Sequence, residues 1–330
     1  MDRLIRQAQF GRRRFVAGVI ALGAMPVMAR AASRPVRIGV LNFGSAPAAG
    51  AAPEPIVRHL AALGYVAGRN VSFERRYADG SRSRFPALAA ELAASGVDLI
   101  FSPGSDIART FVEMRSRIPV VFVVSDDPVA TGLAASLQRP GGVFTGISLM
   151  SPELGGKRLE YLKQALPKVR RIAVLHDRNH AFYVEPMREP AARMGIELAP
   201  LQFEESEDFS PAFERARAAK AEAMFVAPNR YTLAYAARIA GLSLQHRLPS
   251  ISAYDSFALA GGLLSYGPVQ DDAVARAAAI IDKIIKGARP GEIPIEQPPR
   301  IVLIVNARTA KAFDLVISPE LLLRADQVIE

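Results

Sequence analysis

From Val36 onward, short β-branched runs alternate with Ala- and Leu-rich stretches of helical character. That alternation predicts βαβ units on parallel sheets. In the first half the predicted strands are 36–43, 71–78, 97–103, 119–125 and 143–148, with helices at 54–64, 84–95, 105–116 and 129–137. The pattern restarts after LGGKRLEYLKQALP with strands at 170–177, 196–203, 221–228, 249–254 and 261–267, and helices at 183–194, 209–219 and 231–246. A long helix at 271–287, a proline-rich connection, a strand at 301–306 and a closing helical tail follow. The architecture therefore appears twice, as a repeat of pattern rather than of residues. The expected fold is α/β, two doubly wound parallel-sheet lobes. Lobe 1 comprises 35–148 and 267–300, lobe 2 comprises 149–266, and 301–330 forms a third crossover and C-terminal tail.

The segment before this pattern has its own logic. It opens with basic residues, continues with an uncharged run from Phe15 to Ala29, and ends in Ala29-Arg30-Ala31, an A-x-A-like cleavage site. Residues 1–31 read as a signal peptide, because the apolar run is too short for a membrane span and contains Gly18, Gly23 and Pro26. Arg12-Arg13-Arg14-Phe15-Val16 fits a twin-arginine export signal, with Sec export as the alternative. Removing residues 1–31 takes away six arginines and one aspartate, so the formal charge of the 330-residue chain falls from +9 to +4. The remaining arginines are scattered, without the single basic face or aromatic interleaving that nucleic acid requires. There is no cysteine, which excludes disulfides, thiol nucleophiles, Cys-based zinc sites and a lipidated N-terminal cysteine.

In open parallel sheets, ligands bind at the carboxyl ends of strands, and two such sheets face each other across a cleft. Asn42, Phe43 and Ser45 follow the first strand, either as cleft wall or as an ordinary βα turn. Ser102-Pro103-Gly104-Ser105-Asp106 follows the third, where Gly104 frees the backbone and Ser105 is placed to cap a helix whose N-terminus would attract a carboxylate. Asp126 and Asp127 end the fourth strand, with Asp127 as a helix-start residue before Pro128. In the second half, His176-Asp177-Arg178-Asn179-His180 has H-x3-H spacing but lies at a strand end, so Asn179 as a polar cleft contact is favoured over a metal site. Asn229 and Tyr231 end the next strand but one, and Tyr254 and Asp255 the one after it. Two tyrosines beside amide and carboxylate groups suit a ligand with a flat or apolar part and a charged part. There is no nucleophile elbow, P-loop, G-x-G-x-x-G after a strand or H-E-x-x-H, so no catalytic constellation and no cofactor are expected.

Several collinear blocks then point to a family: LAALGYVAGRNVSFERRYADG (60–80), FPALAAELAASGVDLIFSPGS (85–105), IPVVFVVSDDPVATGLAASLQRPGGVFTGIS (118–148), LGGKRLEYLKQALP (154–167), GGLLSYGP (261–268) and the ending LLLRADQVIE. The chain resembles bacterial ABC-transporter substrate-binding proteins of the tryptophan/tyrosine-type group, which share the type I periplasmic binding fold. The resemblance implies two lobes joined by a three-strand hinge, with crossings near 145–151, 261–267 and 301–306. It also implies a periplasmic, monomeric receptor that closes on a small-molecule ligand and presents it to an ABC permease and its ATPase. Carried onto this sequence, the cleft positions are Asn42, Ser45, Gly104, Ser105, Asp126, Asn229, Tyr231, Tyr254 and Asp255. A ligand carboxylate would meet the Ser105 helix start, an ammonium Asp126 or Asp255, and an apolar or aromatic part Phe43, Tyr231 or Tyr254. Pro103-Gly104-Ser105-Asp106 departs from the GTP- or GTA-like stretch usual in the family, which leaves the ligand open. An exported α/β enzyme acting on a small carboxylate is the rival reading.

Overall fold

A computed structural model describes residues 34–149, 152–204, 208–298 and 300–330. The predicted signal peptide at 1–31 lies outside them. The five strand-like runs of the first half become β1 (Val36–Asn42), β2 (Val71–Tyr77), β3 (Leu99–Ser102), β4 (Val120–Val124) and β5 (Phe144–Ser148). They pair in parallel in the order β2-β1-β3-β4-β5. Central strands of a parallel sheet are covered on both faces, which is why LIFS of β3 and VVFVV of β4 are continuous apolar runs. The edge strand β2, VSFERRY, carries charge and is mostly half-buried. Helices α1 (Pro55–Ala62), α2 (Phe85–Ala94) and α3 (Ser105–Glu113) follow β1, β2 and β3.

The second lobe begins with α4 (Gly155–Ala165) and continues through β6 (Arg171–His176), α5 (Glu185–Arg193), β7 (Glu197–Gln202), α6 (Ser210–Ala218) and β8 (Ala223–Val226). It goes on with α7 (Arg230–Ala234), α8 (Ala236–Gln245), β9 (Ser250–Ser252), α9 (Asp255–Leu259) and β10 (Leu264–Pro268). The chain then leaves this sheet. Helix α10 (Gln270–Ile285) packs on α1, β4 and β5 of the first lobe, and Glu296 bridges to Ile147 beside β5. It returns as β11 (Ile301–Asn306), α11 (Ala307–Ala312), α12 (Pro319–Arg324) and β12 (Gln327–Ile329). The second sheet runs β12-β11-β10-β9-β8-β6-β7, parallel except at β10·β11. The fold is thus α/β with two parallel-dominated sheets. The chain passes from one sheet to the other after β5, after β10 and before β11, so β5, β10 and β11 each belong to one sheet rather than spanning the passage.

Four elements differ from the sequence pattern. No helix forms over 129–137. There Asp127 Oδ1 accepts from the Val129 and Ala130 amides, and Gly132 turns at φ 73°. Asp127 therefore closes a turn and does not start a helix. The predicted helix 231–246 divides into α7 and α8 where Tyr235 adopts φ −108° and ψ 25°. Gly104 rather than Ser105 is the residue preceding α3, and the Ser105 side chain caps nothing. The tail is not wholly helical, because β12 extends the second sheet beside β11.

Candidate functional site

The carboxyl ends of β1, β3 and β4 face those of β6, β8 and β9, and between them lies a cavity of about 110 Å³. Gly104, Ser105 and Ser125 line it from the first lobe, and His180, Asn229, Arg230 and Tyr254 from the second. Leu149, just past β5, and Gln270 and Val274 of α10 complete it, so the crossing segments form part of the wall.

Charges from the two lobes interlock around this space. Arg230 reaches from the start of α7 to Asp106 of α3, with Nε and Nη2 at 2.9 and 2.7 Å from the same Oδ1. Arg82, ahead of α2, lies 3.2 Å from Asp106 Oδ2 and 3.1 Å from Asp177 Oδ2, just past β6. Burial works against the Asp106 charge, but Arg230 and Arg82 outweigh it and hold the carboxyl well below the usual range. His180 Nδ1 lies 2.5 Å from Asp177 Oδ1, and its Nε2 lies 3.7 Å from Asp126 Oδ1. Burial would lower the His180 pKa, yet the Asp177 hydrogen bond and charge, helped by Asp126 and Asp106, raise it. For Asp177 the same contacts, with Arg82 and the Asn179 amide, overcome burial and lower its pKa.

Asp126 is different. It is 1% exposed, and among the described residues neither Oδ has a hydrogen bond of good geometry. Burial pushes its pKa up, offset only in part by His180, the Ser105 hydroxyl and Arg109, whose Nη2 is 3.7 Å away. A buried carboxylate without hydrogen bonds is costly, and an incoming cation repays that cost. Asn229 presents a second unfilled valence. Its Oδ1 accepts from the Thr232 amide in a capping box, which leaves Nδ2 buried without a partner among the described residues.

Of the sequence candidates, Gly104, Ser105, Asn229 and Tyr254 line the cavity; Asp126 does not line it, but follows the lining Ser125 and has Oδ1 3.7 Å from Nε2 of the lining His180. The Tyr254 hydroxyl is 2.8 Å from Ser125 Oγ across the lobes, and burial pushes its pKa up to about 12. Asn42, Phe43 and Ser45 line a separate, more open hollow of about 370 Å³ with Glu54 and Tyr77. There Asn42 Nδ2 donates to Glu54 at 3.3 Å. Like Asp126, the other three candidates line neither space. Tyr231 is 1% exposed and meets Phe43 edge-on at 4.6 Å, so it seals the two lobes together as core. Asn179 points to solvent, its backbone amide bonded to Asp177. Asp255 sits in the first turn of α9, where its Oδ1 accepts from the Ser256 amide and burial raises its pKa. Arg82, Asp106, Asp177, His180 and Arg230 carry cross-lobe electrostatics that the strand-end motifs did not assign to them, although Asp106, Asp177 and His180 stand within those motifs. Their signal was placement, four of them sitting just past an apolar strand, but their cross-lobe partners lie 54 to 124 residues away.

Comparison with known proteins decides what this architecture belongs to. Residues 37–329 match the family model for ABC transporter substrate binding protein. The chain is a member of that family. A protein named tyrosine-binding protein, from Clostridioides difficile, is 22% identical over 282 residues, covering 84% of this chain and 81% of that one. A Streptococcus pneumonia ABC domain in complex with L-Trp superposes with a TM-score of 0.80 at 23% identity, covering 89% of this chain and all of the other. The ligand-free, open structure of a substrate-binding protein with adhesive properties from Clostridium difficile gives 0.61 at 22% identity, covering 89% and 99%. Membership implies a small-molecule ligand, ABC transporter partners and work outside the cytoplasm. Among the described residues no helix is long and apolar enough to cross a membrane.

Proposed function

We propose that the chain is the monomeric, periplasmic receptor of an ABC importer and binds an α-amino acid between its lobes by hinge closure, without catalysing a reaction. The observation that carries this reading is Asp126, a buried carboxylate with no hydrogen bond of good geometry, one residue past the cavity-lining Ser125 and 3.7 Å from the lining His180. It supplies the counter-charge for a ligand ammonium. The unfilled Asn229 Nδ2 supplies a donor for a carboxylate. The same space is walled on its other faces by Val123, Leu149, Leu233 and Val274, which suit an apolar side chain. The ligand stabilises closure because it touches groups from both lobes at once. The relatives named for tyrosine and solved with L-Trp support an amino acid as the ligand class. The better superposition on the L-Trp complex than on the open, ligand-free relative supports a closed arrangement of the lobes. Residues 1–31 direct export by the twin-arginine route and are removed near Ala31.

Titration calorimetry with α-amino acids and with their deaminated and decarboxylated analogues tests the reading. The intact amino acids should bind and both analogues should lose at least about tenfold in affinity. Equal binding of the deaminated acid would remove Asp126 from the ligand site.

A further inference from the structure

Arg230 is seated in a socket built by the opposite lobe. Its Nη1 donates to the Pro103 carbonyl at 2.8 Å, two of its nitrogens reach Asp106, and its guanidinium carbon lies 5.9 Å from the Phe43 and Phe85 ring centres. The guanidinium rests on Gly104 so closely that a Cβ there would sit 1.5 Å from Nη2. Only glycine admits this side chain, and Gly104 adopts φ 152° in addition. Docked in this way, Arg230 does more than pair charges. Arg230, Leu233 and Pro103 are the residues that line both the inner cavity of about 110 Å³ and the outer hollow of about 370 Å³, so these side chains form the partition between the two spaces.

We infer that Arg230 is a size filter that restricts the receptor to compact α-amino acids. The inference rests on the amino-acid reading above and deepens it. An apolar cavity of about 150 Å³ is what a single benzene ring occupies. The inner cavity is smaller than that, and a ligand there must also place its ammonium near Asp126 and its carboxylate near Asn229. An aliphatic or hydroxylated side chain of a few heavy atoms fits the remaining space. An aromatic side chain needs the outer hollow, which it reaches only when the Arg230 partition is removed. The chain therefore shares its fold with the L-Trp complex while its own arginine sets a different size limit.

The test is calorimetric titration of the wild type, Arg230→Ala and Leu233→Ala with glycine, alanine, serine, valine, phenylalanine, tyrosine and tryptophan. The wild type should bind its best compact ligand at least about tenfold more tightly than any aromatic one. Arg230→Ala should shift the aromatic-to-compact affinity ratio by at least about tenfold towards the aromatic ligands. Leu233→Ala, which opens the same partition without removing a charge, should move the ratio the same way by less, and it stands in if Arg230→Ala does not fold. A general weakening of closure lowers every affinity but leaves that ratio unmoved. Wild-type binding of tyrosine or tryptophan as tight as that of alanine or serine overturns the size filter and leaves the amino-acid reading intact. An unchanged ratio in the variants also overturns it. Binding of none of the seven overturns the amino-acid reading and the filter with it.

Discussion

The two walls of the cleft are built from opposite materials. The first-lobe wall is low, with Gly104, Ser105 and Ser125 at its strand ends and the acids Asp106 and Asp126 among them. The second-lobe wall is tall, and Arg230, His180 and Tyr254 reach from it across the gap. The complementarity also runs in the other direction, because Asp177 of the tall wall is met by Arg82 of the low one. Either wall alone would leave charges desolvated without partners. Closure gives each of these charges a hydrogen-bonded partner except the remainder, Asp126, which has only the longer 3.7 Å contacts to His180 and Arg109. The difference teaches that the lobes are registered by paired charges around a space, with the apolar seal of Phe43 against Tyr231 alongside.

The strongest way to break this comparison is to neutralise the remainder. Asp126→Asn should lower ligand affinity about a hundredfold, since a desolvated charge pair to the ligand is lost. In the ligand-free protein it should raise Tm by about 2 °C, because a buried carboxylate without hydrogen bonds is removed. Calorimetry and thermal melts read the two effects, and a lower Tm would mean that the carboxylate is a structural partner instead.

Next in size is the low wall's lowness. Gly104→Ala puts a methyl where the Arg230 guanidinium lies and should weaken ligand binding by roughly thirtyfold, as Arg230 is displaced from its socket. A near-normal affinity for this variant would show that Arg230 is not needed in its docked position. Arg82→Ala removes the reciprocal pair to Asp177 and should cost about tenfold in affinity, mainly through faster dissociation measured by stopped flow.

The smallest expected effect is a pH dependence. His180 has a raised folded-state pKa, so its stabilisation is fully present below the unfolded value of about 6.5 and fades as pH rises through the folded one. Asp177 is lowered, so its own contribution persists until well below the ordinary carboxylate range. The Tm gap between wild type and His180→Gln should therefore be widest near about pH 6 and narrow towards about pH 9. A gap that widens with pH would mean that His180 is held neutral.

How much of this was legible in the sequence depended on the range of the interaction concerned. Strands β3, β4 and β8 were readable because burial on both faces writes a near-continuous apolar run into the local sequence, and β1 and β6 because their buried centres do the same. The 129–137 segment misled, since its Ala and Leu content looks helical while one side-chain cap on Asp127 and a left-handed Gly132 decide otherwise. In the candidate site, Gly104, Ser105, Asn229 and Tyr254 were found from strand-end position alone. Tyr231 was misplaced for an equally plain reason. Aromatic residues at a strand end can face the cavity or the opposite lobe, and only its meeting with Phe43 settles which.

The sequence by itself determined the α/β alternation, its doubling, and the strand ends at which polar residues gather, because each is a property of neighbours along the chain. The tertiary structure decided that the stretch after β4 closes in a turn, that β12 joins the second sheet, and that Arg230 lies on Gly104 with Asp106 beside it. These last are contacts between residues more than a hundred positions apart, and only the docking of one lobe on the other creates the desolvated space in which a glycine, an arginine and an aspartate come to depend on one another.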